Sequence, residues 1–93
     1  MRTLHLHLKA EYFNAIAAGT KTEEYRKCTP YWTKRIEGRE YDQIVLYYGY
    51  LSTHKVAHNV TIVLPYRGYK VRTITHPHFG PEPVEVFAIR LIP

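Results

Sequence analysis

Lys21, Glu24 and Arg26 put an ammonium, a carboxylate and a guanidinium within six residues, just after Gly19. The carboxylate can act as a general base or orient the ammonium, and the guanidinium can hold a phosphate through two parallel hydrogen bonds. Acting on RNA, the base would take the proton of a 2′-hydroxyl while the two cations stabilise the charge that develops on phosphorus, with no metal or other cofactor. Spacing alone also allows a plainer outcome, in which Lys21 pairs with Glu23 and Glu24 with Arg26 at a surface. Two further pairs, His5 with His7 and His76 with His78, stand at i, i+2, a spacing that can bind a metal on a strand. No third ligand type clusters beside either pair, so no metal site is expected.

The elements that must position these groups can be read from periodicity. Thr3 to Leu8 alternates Leu4, Leu6 and Leu8 against Thr3, His5 and His7, which predicts a half-buried strand. Lys9 to Ala18 places Tyr12, Phe13, Ile16 and Ala17 on one helical face, and Gly19 stands where a left-handed C-cap is expected. The segment after it reads as a strand with Lys21, Glu23 and Tyr25 on one side and Thr22, Glu24 and Arg26 on the other. Lys21 can then join Glu24 and Arg26 only if the strand begins with a bend or bulge. Thr29 and Pro30 open a second helix that ends at Gly38, with Trp32 and Ile36 docking it and Lys34, Arg35 and Arg39 forming a basic edge.

Asp42 to Tyr50 predicts a central strand whose Tyr47 and Tyr48 face opposite ways, and one of these with Tyr50 lies where a base can stack. Leu51 to Lys55 reads as a loop able to border a cleft. His58 to Leu64 and Tyr69 to Thr75 read as two strands joined through Pro65 to Gly68 as a hairpin, with Arg67 at the tip. Lys70, Arg72 and Ile74 share one face of the second run. Thr75 to Pro83, with three prolines, is expected to be irregular and to wrap one end of the fold as a candidate lid. Val84 to Ile92 is a last strand expected to close the sheet against the first.

Glycine, lysine two residues on, glutamate three further and arginine two beyond, placed after a strand and a short helix near the N-terminus, resemble the motif of the ASCH domain family, relatives of the PUA RNA-binding fold. The resemblance covers the chain from first strand to last. It implies an α+β fold, a small PUA-like β-barrel of about five or six strands with two short helices beside it. It also implies a cleft carrying Lys21, Glu24 and Arg26 as catalytic residues. Family members are associated with RNA binding, with cleavage of single-stranded RNA and with hydrolysis of N(4)-acetylcytidine. Members with the last activity carry threonine where Glu24 stands here, and a further glutamate from a helical insert where this chain has only Glu82 and Glu85 in a short stretch. Metal-independent RNA cleavage is therefore the leading expectation. Hydrolysis of N(4)-acetylcytidine or a related modified nucleoside is the alternative, and a non-catalytic RNA-binding module the competitor.

Charge distribution points to the same class of partner. The 93 residues carry a formal +5, and no acid falls between Asp42 and Glu82, where Lys55, Arg67, Lys70, Arg72 and four histidines lie. Candidate RNA contacts are Tyr25 beside the motif, Lys34 and Arg35 on the second helix, Tyr50, His54 and Lys55 in and before the loop, and Arg67, Lys70 and Arg72 beyond it. The length suits one domain, residues 1–93, as a monomer or weak homodimer. A lone Cys28 excludes an internal disulfide and suits a reducing cytoplasm, and no apolar run approaches a membrane span or a signal-peptide core.

Overall fold

A computed structural model of the chain describes residues 1–49 and 61–92. Along these the order is β1 (Thr3–Leu8), α1 (Ala10–Ala17), β2 (Glu23–Lys27), α2 (Pro30–Ile36), β3 (Gln43–Tyr48), β4 (Thr61–Pro65), β5 (Tyr69–His76), a 3-10 turn (Pro77–Phe79) and β6 (Gly80–Arg90). The fold is α+β, with six strands in two three-stranded sheets and two helices among the described residues. One sheet runs β1-β3-β4 and the other β2-β6-β5, and no strand pairing joins them among the described residues.

Each sheet turns one face to a shared core. Leu4, Leu6 and Leu8 of β1 and Ile44 and Leu46 of β3 meet Phe87 and Ile89 of β6, with Phe13 and Ile16 of α1 and Ile36 of α2 closing the ends. Burial of this alternating set is what holds the sheets together, because each sheet alone would leave an apolar face in water. β1 and β3 run parallel, with α1, β2 and α2 making the crossover between them.

Three connections differ from the sequence expectation. Pro65 to Gly68 does not turn a hairpin: β4 pairs with β3 while β5 pairs with β6, so this segment carries the chain from one sheet to the other. Pro65 ends the ladder, the amide of Tyr66 still donates to the Asp42 carbonyl at 3.2 Å, and Gly68 takes φ +84° to redirect the chain. β6 does not reach β1. It pairs with β2 and β5, which bury Val86, Phe87, Ala88 and Ile89 on both faces. The Pro-rich stretch is regular as well, since β5 and β6 form the hairpin and the 3-10 turn is its tip. Pro81 and Pro83 are accommodated because, among the described residues, β2 pairs only with Val86 to Arg90 and that side of β6 has no further ladder to donate to. No helix among the described residues is long and apolar enough to cross a membrane.

Candidate nucleoside-binding cleft

The end of α1 sets the position of Lys21. Gly19 adopts φ +80°, its amide donates to Ile16, and the amides of Thr20 and Lys21 both donate to the Ala15 carbonyl at 3.0 and 3.2 Å. β2 begins only at Glu23, so Lys21 precedes the strand and strand alternation does not bind it. Its Nζ comes to 3.7 Å from Glu24 Oε1 without a bulge in β2. Glu24 and Arg26 share the inward face of β2, opposite Ile89 and Phe87.

Glu24 is 6% exposed and is the buried charged residue of the described core. Arg26 Nη2 donates to Glu24 Oε2 at 2.8 Å and to the His7 carbonyl at 3.0 Å, so both oxygens of Glu24 face a cation. A carboxylate this deep is tolerated because two charges and a hydrogen bond compensate its lost hydration. The cations are themselves held by rings. Lys21 Nζ lies 4.7 Å from the Tyr25 ring centre and 5.4 Å from that of Tyr12, and the Arg26 guanidinium lies 4.9 Å from Trp32. Arg26 Nε is buried and has no hydrogen-bond partner among the described residues.

Above these three groups opens a cleft of about 280 Å³. Its walls are Tyr12 from α1, Tyr25 from β2, Tyr31 and Trp32 from α2, and His76, His78 and Phe79 from the β5–β6 tip. The backbone amide of His78 donates to Nδ1 of His76 at 3.1 Å, so a neutral His76 carries its proton on Nε2. The imidazole of His78 is pushed below its ordinary pKa, first by partial desolvation and then by the charges of Lys9 and His76, with Glu24 opposing. The phenol of Tyr25 is pushed up, first by desolvation and then by its hydrogen bond to Glu23.

Lys21, Glu24, Arg26 and Tyr25 are thus brought together in one cleft, and other candidates are not. The side chain of Lys34 is exposed, and Arg35 lies 3.5 Å from the Tyr31 ring centre in an adjoining groove shared with His5 and His7. Arg67, Lys70 and Arg72 line a different groove with Thr22, Glu23 and Arg90. Tyr50, His54 and Lys55 lie outside the described residues.

Sequence reasoning did not place Tyr12 or Trp32 at the site, and it left His76, His78 and Phe79 as part of a loop. The one available signal was the aromatic and histidine content of the hairpin tip. Hydroxyls are poorly placed for attack: Thr20 Oγ1 donates to the Ala15 carbonyl at 3.0 Å, Thr22 faces the other groove, and Thr29 Oγ1 caps α2 by accepting from Trp32 at 3.3 Å. Among the described residues no three His, Cys, Asp or Glu side chains converge as metal ligands would. No family model, curated protein or solved structure matches this chain.

Proposed function

We propose that this chain is a single-stranded RNA-binding protein of the ASCH type, with a PUA-like barrel, and that its cleft receives one nucleoside unit. The observation that carries the reading is the buried Glu24 holding Lys21 and Arg26 at the floor of an aromatic-walled space of about 280 Å³. Small-molecule sites run from about 300 Å³ upwards and combine apolar walls with a few fixed polar groups, and a single nucleoside falls at the low end of that range. A base stacks on Tyr12, Tyr25 or Trp32, and the adjoining phosphate meets Lys21 and Arg26. Glu24 serves to position the cations, since both of its oxygens are already engaged.

Cleavage of the bound strand is a second reading, favoured by His78 at the rim. A neutral His78 accepts the 2′-hydroxyl proton, and the 2′-oxygen attacks the neighbouring phosphorus. Lys21 and Arg26 stabilise the charge on the phosphoryl oxygens. The 5′-oxygen then leaves with a proton from solvent water, giving a 2′,3′-cyclic phosphate and a free 5′-hydroxyl. Hydrolysis of N(4)-acetylcytidine has less support, because each threonine hydroxyl near the motif is turned away or engaged.

Binding of a short labelled single-stranded RNA to wild type, Lys21→Ala and Tyr25→Ala tests the first reading. Each variant should lose about tenfold or more in affinity while keeping its circular dichroism spectrum. Equal affinity across all three would overturn it. The second reading is checked on a denaturing gel, where His78→Ala should abolish any cleavage that identically purified wild type performs.

A further inference from the structure

The outward face of the β2-β6-β5 sheet carries a second groove of about 370 Å³, on the other side of β2 from Glu24 and Arg26. Its floor is Ala88 and its rims are long side chains: Glu23 opposite Arg90 on one side, and Lys70 opposite Ala88 with Arg72, opposite Val86, two residues further on the other. Arg67 closes one end. Four cations therefore surround one carboxylate, and that carboxylate is already occupied. Glu23 Oε1 accepts from the Tyr25 hydroxyl at 3.1 Å and Oε2 from Arg72 at 3.1 Å. Among the described residues neither Arg67, Lys70 nor Arg90 pairs with a carboxylate.

Charge placed only for solubility, or to keep edge strand β5 from pairing with another sheet, has no need to converge. Here the β4–β5 connection, β5 and the central strand each send a cation to one trough, which is how a polyanion is held. The trough also communicates with the cleft. Tyr25 is a wall of the cleft, and its hydroxyl is bonded to the same Glu23 that holds Arg72 in the groove.

We infer that this groove is a phosphodiester track, which takes the backbone of the same single strand whose base enters the cleft. The inference rests on the nucleoside reading of the cleft and makes the ligand a polynucleotide chain, not a free nucleoside. Phosphate contacts are indifferent to sequence, so the groove supplies affinity and register and the cleft supplies selection.

The test uses the triple variant Arg67→Ala, Lys70→Ala and Arg90→Ala, leaving Arg72 to hold Glu23. Its binding to a short single-stranded RNA is measured by fluorescence anisotropy over a salt series. Binding of the four ribonucleosides and N(4)-acetylcytidine is measured by calorimetry. Three lost phosphate contacts on a single strand should flatten the slope of log affinity against log salt by about 2. RNA affinity should fall and nucleoside binding should not change. RNA affinity and salt slope equal to wild type would overturn the track. If the triple variant loses RNA while Lys21→Ala does not, the groove binds a strand that never enters the cleft; that outcome overturns the shared path and the cleft reading together. All three side chains are exposed, so an unchanged thermal midpoint is expected and separates lost contacts from lost structure.

Discussion

Glu23 and Glu24 are neighbours in sequence, each bonded to an arginine, yet they sit in opposite physical settings. Glu24 faces inward, is 6% exposed and holds Lys21 and Arg26 under a roof of rings. Glu23 faces outward, on a rim where its partner Arg72 remains in contact with water. The same carboxylate chemistry is therefore structural and orienting on one side of β2 and weakly coupled on the other. A cleft with fixed charges suits recognition of one group, and a groove of solvated cations suits a repeating backbone.

The largest break in that comparison should come from removing the buried carboxylate. Glu24→Ala leaves two cations without their counter-charge and should cost about 3–5 kcal/mol of stability by urea denaturation. Glu23→Ala, its outward twin, should cost less than about 1 kcal/mol because its ion pair is screened by water. Equal costs would mean that the cleft is wetter than its geometry indicates.

A smaller effect is expected from Trp32→Phe, which keeps a ring in place but weakens the platform beneath Arg26. Stability should fall by about 1–2 kcal/mol, and RNA affinity should fall with it. Salt then separates the two regions without mutation. Between about 50 and 200 mM salt, RNA affinity should drop steeply and nucleoside affinity hardly at all.

The smallest effect concerns pH. Because the folded pKa of His78 lies below its unfolded value, the unfolded chain takes up the proton first. Its contribution to stability is intact above the ordinary imidazole pKa and is lost as pH falls through the window between that value and the lower folded one. His78→Gln should flatten the decline in thermal midpoint below about pH 6.5, slightly, since the ring is partly open to solvent.

Local chemistry was legible wherever it depends on neighbours in the chain. The alternation of Leu4, Leu6 and Leu8, the stop at Gly19 and the start at Thr29 and Pro30 all appear in the fold where periodicity and capping place them. The bend expected for Lys21 proved unnecessary, because β2 starts two residues after it. The groove was half legible: Lys70 and Arg72 share a face by alternation, whereas Arg90 joins them only because β6 lies between β5 and β2.

What the amino-acid order determined by itself is therefore the set of elements, their buried faces and the nearness of Lys21, Glu24 and Arg26, since sterics, capping and side-chain period act over a few residues. Only the tertiary structure decided that Pro65 to Gly68 crosses between sheets, that β6 is central, and that the tip at His76 to Phe79 faces Tyr12 of α1. Those outcomes depend on which apolar faces can be buried against one another at once. That choice is made by the whole core, and no local stretch of sequence encodes it.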